Sequence, residues 1–448
     1  MPICTSKADS CGIHDVLLLL KPFRLDRYRT LAYNCQRFSH HCCGVLSNHR
    51  GYKVVQRNTD QADHEVVIEA LRPFGTTIFT EINAIAAAFD TINLSQGFPD
   101  FDGPEEIRFK AAEAIMQGPN QYISSIGLSP LRHAIARKME RFYGVAVDGD
   151  HEITVTSGAT EGLCATLLGI LEPGDEVILL EPAYDTYAPI SAIARATIRY
   201  VPLLRPDFSI PKEELANAFG PATRCIVINN PHNPCGKVFS KEELTFIASL
   251  CSQHDAYAVG DEVYEHLVYD DRVHTTLLSI PELRNRAFVI SSTAKTFSMT
   301  GWKVGYVIAA PELSRAVRLS HQFITFCGQA ALQEAMAAAL DFPNGYYEAL
   351  LSEYTRRRDL ICDALADIGF HVYVPEGAYY VLADIKPLGF DDDFAFCRML
   401  PEKAGVAAIP SSCFWNERRD GRDLVRFCFC KKDPTLEEGI RRLRRWLT

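Results

Sequence analysis

No stretch of this 448-residue chain approaches the ~20 consecutive apolar residues that a bilayer span requires; the longest strongly apolar run near its start is Val16–Leu20. A membrane partner is therefore not expected. An excess of positive charge is missing as well: 46 Lys and Arg against 56 Asp and Glu give a formal charge of -10, which argues against nucleic acid as the main partner. No internal repeat or low-complexity tract stands out. With 47% hydrophobic and 23% charged residues, the composition is that of a soluble globular protein and not of a disordered or fibrous one.

A paired cysteine motif is also lacking. His40-His41-Cys42-Cys43 invites a zinc reading, but adjacent side chains project in different directions and no C-x-x-C partner exists, so no metal is expected. The cysteines beyond the first tenth, among them Cys225, Cys251, Cys362 and Cys397, are scattered singly through apolar segments. They read as small buried hydrophobes in a reducing compartment, and a cytoplasmic location is expected. Met1 to about Arg57 lacks acids except Asp9, Asp15 and Asp26, and it lacks any sustained period. A misplaced start, an organelle leader and a disordered arm are the competing readings, of which a disordered or non-functional extension is favoured.

Order begins near Leu71. Apolar spacing predicts a helix from Ile78 to Phe89 and a short strand over Thr91–Leu94, and Pro104-Glu105-Glu106 reads as a helix start. Through the middle of the chain, strands at Ile153–Thr156, Val177–Leu180, Ile198–Val201, Cys225–Ile228 and Tyr257–Val259 alternate with helices near 160–171, 187–194 and 242–251. Apolar strands separated by helices imply an α/β fold with a mainly parallel sheet sandwiched by helices, whose ligands sit beyond the strands' carboxyl ends. From about Gln329 the texture becomes that of a smaller α+β domain: a long helix ending at Gly369, strands near 372–374, 379–382 and 424–427, and a last helix capped by Asp433-Pro434. The expected organisation is an extension (1–70), an N-terminal arm packing with the small domain (71–104), a large domain (105–328) and a small C-terminal domain (329–448). The arginines of the last helix read as a solvated face.

The stretch from Ser291 to Gly305 organises the chemistry. The β-prone run Phe288-Val289-Ile290 stops at hydroxyls, and Lys295 follows with glycines behind it, which is how a reactive amine would be presented at a strand end. A desolvated, neutral amine can form a Schiff base with an aldehyde. Lys303 and Ser292 could hold an anion beside it, and an aldehyde that carries a phosphate is pyridoxal 5'-phosphate (PLP). Four further stretches fall where such a cofactor needs them. Ser157-Gly158-Ala159-Thr160-Glu161-Gly162, between a strand and a helix, can cradle phosphate on backbone amides of Gly158, Ala159 and Thr160. Asn229-Asn230-Pro231-His232-Asn233-Pro234 follows a strand. Asp261, in Asp261-Glu262-Val263-Tyr264, could keep a pyridine nitrogen protonated and the ring an electron sink. Arg426 is a lone charge in the apolar strand Val425-Arg426-Phe427, and its planar fork suits a carboxylate.

Together these motifs resemble those of the class I (fold type I) aminotransferases, whose patterns S-x-x-K-[ST]-F-x-x-x-G-W-[KR]-x-G and N-x-P-x-N-P-x-G are filled at every fixed position, and the likeness runs from about Arg72 to the end. The resemblance implies a PLP enzyme with Lys295 as anchor and proton carrier. It implies Asn233 and Tyr264 at the cofactor's phenolic oxygen, Asn229 in support, Tyr184 stacked on the ring and Arg426 on the substrate's α-carboxylate. It further implies a homodimer in which Tyr122 reaches the neighbouring subunit's phosphate, with Gly97, Asn233, Phe79, Tyr122 and Phe326 around the substrate. The reaction so implied is a ping-pong transfer of an amino group from an amino acid to a 2-oxo acid. Within the class, Asn93–Asp100 and Thr300-Gly301-Trp302-Lys303 are most similar to the kynurenine aminotransferase, glutamine transaminase K and methionine aminotransferase branch, suggesting bulky apolar, sulfur-containing or kynurenine/glutamine-like donors. Thr160 and Cys327 depart from its animal members, and Thr160-Glu161, Pro387–Phe390 and Pro401–Val406 look instead like bacterial N-succinyldiaminopimelate aminotransferases of lysine biosynthesis. A cysteine-conjugate β-lyase uses the same groups. A PLP-sensing transcriptional regulator is a further alternative, which the absence of helix-turn-helix periodicity in Met1–Arg57 disfavours.

Overall fold

The computed structural model describes residues 66–75, 78–118 and 120–448. The readings of Met1–Arg57 and of His40–Cys43 lie outside the described residues. After a helix over Ile78–Ala88 and a two-residue strand β1 (Ile92–Asn93), seven strands form the large sheet: β2 (Ile153–Ser157), β3 (Glu176–Glu181), β4 (Thr197–Pro202), β5 (Thr223–Asn229), β6 (Tyr257–Asp261), β7 (Ala287–Ser292) and β8 (Val304–Ala309). Their spatial order is β2-β8-β7-β6-β5-β3-β4. The block from β3 to β7 is parallel, with helices Tyr187–Ile193, Lys212–Ala218 and Lys241–Gln253 returning the chain between successive strands.

These strands are buried on both faces, and the two-residue side-chain alternation divides them between two apolar layers. Ile178, Ile226, Ala258, Val289 and Ile308 join one layer. Val177, Leu179, Cys225, Val227, Val259, Phe288 and Val307 join the other, with the helix Gly158–Ile170 packed over them. The expected mainly parallel, helix-covered sheet is therefore the observed one. The sequence reading did not isolate β8, which runs antiparallel to both neighbours, β2 and β7.

A smaller antiparallel sheet follows, made of β9 (His371–Tyr373), β10 (Tyr380–Asp384), β12 (Ile409–Pro410) and β13 (Leu424–Cys428) in the order β12-β13-β10-β9, while β11 (Val406–Ala407) pairs in parallel with β1. Helix Ala330–Leu340, which follows the expected boundary at 329, packs on helices Glu105–Gln117 and Ser129–Tyr143. The 25-residue helix Asn344–Ile368 ends at Gly369 in the left-handed conformation, at φ 112°, as the glycine there suggests.

Asp433 is a correction. It occupies the first position of the helix Asp433–Leu447 and does not cap it; its carboxylate pairs with Arg356 at 2.7 Å and Arg357 at 3.3 Å. The capping contact comes from a residue distant in sequence: Asp100 accepts the Lys432 N–H at 2.7 Å and the Thr435 hydroxyl at 2.6 Å. Three arginines of this helix meet acids, Arg441 and Arg442 pairing with Glu438 and Arg444 with Asp367. Among the described residues no helix is long and apolar enough to cross a membrane.

Beneath the strand ends the sheet is pinned by a buried polar cluster. Lys138, on the helix Ser129–Tyr143, pairs with Glu265, whose two oxygens also accept from Tyr143 at 2.6 Å, Ser291 at 2.7 Å and Tyr306 at 3.4 Å. The Lys138 and Glu265 side chains are 1% and 3% exposed. Burial pushes the Glu265 carboxyl up, but Lys138, His266 and His274 together pull it well below the usual carboxylate range. Deleting one partner leaves the other charge buried alone, so Glu265→Ala is expected to cost about 3–5 kcal/mol in urea unfolding. The stability Glu265 supplies is present above the unfolded carboxylate pKa of ~4.3 and is lost as pH falls toward its depressed folded value. Unfolding of wild type and variant across pH 3 to 7 should therefore converge on the acid side.

Candidate active site

Strand order alone assembles the chemistry. Asn229 ends β5, Asp261 ends β6 and Ser292 ends β7, and the registers Asn229↔Asp261 and Asp261↔Ile290 set these termini side by side. On the other flank, β8 pairs Val304 with Ser157 and Gly305 with Ser292, so the turn before it carries Lys303 back to the start of the helix Gly158–Ile170. The result is a cavity of about 240 Å³ beyond the carboxyl ends of the parallel strands, with Lys295, Asp261, Asn233, Lys303 and Tyr264 in its wall.

Lys295 lies in the short helix Thr293–Thr296 that Ser292 begins. Its Nζ donates to the Tyr379 hydroxyl at 2.8 Å and to the Gly97 carbonyl at 3.4 Å; the Tyr379 hydroxyl in turn donates to the same carbonyl at 2.6 Å. Burial pushes the amine down to about 8; Cys430 and Asp261 oppose the fall, and Arg426 and Lys303 add to it. A neutral, nucleophilic fraction is thus present near neutral pH. Tyr379 was not singled out from sequence. It follows Ala378, a buried alanine in the left-handed conformation at φ 61°, which marks a backbone held against its preference beside the site.

Asp261 is buried, and burial pushes its carboxyl up to about 6 against the hydrogen bond from Tyr187. Its Oδ2 accepts from the Tyr187 hydroxyl at 2.7 Å, while Oδ1 has no hydrogen-bond partner. An acceptor-only atom buried without a donor costs free energy, so the site is built for a donor that comes from elsewhere. Tyr187 too was missed, although it opens the predicted helix at 187. The Asn-Pro loop is tied to the same strand end: Asn229 Nδ2 donates to the Asp261 carbonyl at 2.9 Å, and Asn229 Oδ1 accepts the Asn233 N–H at 2.6 Å. Asn233 Oδ1 accepts from Arg426 Nη1 at 2.9 Å, which leaves the amide nitrogen as the group Asn233 offers to the cavity. Tyr264 directs its hydroxyl to that of Tyr380 at 3.2 Å.

Gly158, Ala159 and Thr160 line the far end of the cavity, with Lys303 beside them. Gly158 has φ +77°, and a Cβ there would lie 3.2 Å from Lys303 Nζ, so the glycine admits the ammonium over the helix start. A Cβ at Gly305 would come within 2.6 Å of the Ala159 N, so this glycine lets β8 run directly against the same backbone. Tyr184 lines the wall and meets the Tyr187 ring edge-on at 5.7 Å.

The remaining expected residues are distributed more widely. Arg426, 1% exposed, stands behind Asn233 and Tyr380: Nη2 donates to the Ser95 carbonyl at 3.0 Å, and the guanidinium lies 4.2 Å from the Tyr380 ring centroid. Tyr122 and Phe326 meet edge to face at 5.4 Å on the surface, 86% and 44% exposed, away from the cavity wall of this chain. The Phe79 side chain lies outside the described residues.

These groups fit PLP. The cofactor presents a phosphate, a ring N–H and an aldehyde, and the cavity offers a cationic helix start, an unpartnered carboxylate oxygen and a depressed amine.

The family model for aminotransferase class I and II matches residues 90–443. The chain is 44% identical over 395 residues to a probable N-succinyldiaminopimelate aminotransferase of Mycobacterium tuberculosis, covering 84% of this chain and 98% of that one. It is 40% identical over 374 residues to the methionine aminotransferase of Escherichia coli, covering 84% and 97% respectively. The solved structure of N-succinyldiaminopimelate aminotransferase from Mycobacterium tuberculosis superposes with a TM-score of 0.83 at 44% identity, over 85% of this chain and all of that one.

Because Tyr379 accepts a hydrogen bond from the charged form of Lys295, Tyr379→Phe removes support for the ammonium and should lower the lysine's pKa below about 8. The pH dependence of PLP capture by the apoprotein, followed by absorbance, should move to lower pH; a midpoint that stays put or rises would contradict this role.

Proposed function

The chain belongs to the class I and II aminotransferases and is a PLP-dependent transaminase acting on an amino acid and a 2-oxo acid, and from that premise we propose how its own residues divide the work. Bound PLP supplies an electron sink for the negative charge that develops at the substrate's Cα. Lys295 Nζ would hold the aldehyde carbon and, when free, would take the Cα proton as general base and return it as general acid. Asp261 Oδ1 would keep the ring nitrogen protonated through a charge-assisted hydrogen bond of ~1.5–3 kcal/mol. Asn233 and Tyr264 would address the phenolic oxygen, Tyr184 would cover the ring face, and Gly158–Thr160, Ser292 and Lys303 would hold the phosphate. Arg426, oriented by Asn233 and by the carbonyl of Ser95, receives the substrate's α-carboxylate near the backbone of Gly97. The observation that carries this assignment is that one cavity brings together a depressed lysine, a buried carboxylate oxygen without a donor and a glycine-built helix start.

For the amino donor, we favour bulky apolar and sulfur-containing amino acids, a reading supported by the 40% identity to a methionine aminotransferase. The 44% identity across nearly the whole of a probable N-succinyldiaminopimelate aminotransferase supports that substrate as the second reading. The exposed Tyr122–Phe326 pair, with Phe323 and Met116 exposed by 82% and 84%, supports a homodimer that covers these side chains. The free cysteines of the described residues suit a reducing, cytoplasmic setting.

A panel of methionine, kynurenine, glutamine and N-succinyldiaminopimelate with 2-oxoglutarate as acceptor tests the donor assignment. Turnover of N-succinyldiaminopimelate alone would overturn the favoured reading, and pyruvate release from a cysteine conjugate would add β-elimination. Arg426→Lys should lower kcat/KM for every accepted donor by roughly 30- to 150-fold, the loss of about 2–3 kcal/mol when a planar fork becomes a point charge. Equal kcat/KM in the two proteins would remove Arg426 from the substrate site.

A further inference from the structure

The helix start assigned to phosphate has a carboxylate in its own first turn. Glu161 is 7% exposed, and an unbalanced negative charge there would repel the dianion that the neighbouring amides are placed to receive. Its Oε2 accepts the Ser157 N–H, and its Oε1 lies 2.6 Å from Nδ1 of His321, which comes from the helix Pro311–Ile324 and is 1% exposed. On the far side of the ring, His321 Nε2 lies 2.7 Å from the Ser125 carbonyl oxygen. An imidazole with a carboxylate at one nitrogen and a carbonyl at the other satisfies both only by donating from both, which is the imidazolium form. Burial pulls the His321 pKa down, and the contacts with Glu161 and the Ser125 carbonyl overcome it, raising it above the ordinary histidine value.

Other polar and titratable groups lie around the pair. Thr325 contributes a hydroxyl 3.2 Å from Nδ1. Cys164, one turn along from Glu161, is a thiol that burial and Glu161 push up. Arg318, one turn before His321, is turned to Thr154 and to the carbonyls of Asp150 and Ile153. Lys303 stands across Gly158, on the cavity side.

We infer that His321 and Glu161 form a charge-neutral pair that sets the phosphate affinity of the Gly158–Thr160 cradle, with His321 cancelling a carboxylate needed to hold the Ser157 N–H at the turn. The inference rests on the assignment of the cofactor's phosphate to that cradle. Both residues act through the helix start and are positioning residues.

Absorbance titration of the full-length apoprotein with PLP, and with pyridoxal, which lacks the phosphate, tests the pair. His321→Gln leaves Glu161 uncompensated and should weaken PLP binding by about tenfold or more, while pyridoxal binding stays within about twofold. Glu161→Gln/His321→Gln removes both charges and should recover most of the lost PLP affinity, a rescue that a purely structural role would not give. Unchanged PLP affinity in the single variant, a parallel loss of pyridoxal binding, or a double variant as weak as the single one would each overturn the pair. Equal affinity of the wild type for PLP and pyridoxal would overturn the cradle assignment and the pair with it. A strong wild-type preference for PLP that His321→Gln leaves intact would overturn the pair alone.

Discussion

A buried ammonium has lost its water and is stable only if fixed partners replace it. Lys295 is placed where that replacement is incomplete. Its Nζ meets a phenol hydroxyl and a carbonyl, and among the described residues no carboxylate stands within ion-pair distance. The fold shows it can do otherwise, because a second buried lysine, Lys138, is set directly on Glu265. The two lysines share a sheet and differ in what faces them. One is tied to a carboxylate; the other meets only neutral oxygens, and burial pushes its amine down to about 8.

The same contrast holds for the acids. Glu265 accepts from Lys138, Tyr143, Ser291 and Tyr306, and both oxygens are satisfied. Asp261 keeps one buried oxygen without a donor and sits well above its ordinary pKa. Of these two acids, the fully partnered Glu265 ties the scaffold, and Asp261, short of a partner, lines the cavity. Incomplete satisfaction leaves the cavity able to take up a further donor at Asp261 Oδ1.

Much of this was legible in the sequence, for reasons that differ by element. The parallel strands were visible because burial on both faces makes them continuous apolar runs, as in Cys225–Ile228. Lys295, Asp261, Asn233 and the glycine turn, which line one cavity, stood out in the sequence because they fall in short motifs at strand ends. What stayed hidden depends on contacts between segments distant in sequence. Tyr379 reaches Lys295 across 84 residues, Tyr187 reaches Asp261 across 74, and Asp100 serves the start of a helix more than 330 residues later. Each is a tyrosine or acid of ordinary local setting, and no periodicity distinguishes it from its neighbours. The Asp433 cap failed for the same reason: a plausible local acid was taken up by Arg356 and Arg357 of another helix.

Strand β8 shows how far a single topological choice reaches. Its sequence, Val304 to Ala309, reads as an ordinary buried strand, and nothing local sets its direction. By running antiparallel between β2 and β7, it turns a lysine eight residues past Lys295 back over Gly158, whereas a parallel strand would begin at the opposite edge of the sheet. Lys303 itself adopts the left-handed conformation at φ 53°, an uncommon state for a side chain of its size, to make that turn. The ammonium, the helix start and the reactive amine therefore belong to one mechanical unit, whose spacing is set by backbone pairing between strands. Flexible side chains adjust only its last few ångströms, which is why two glycines, at 158 and 305, stand at its tightest points.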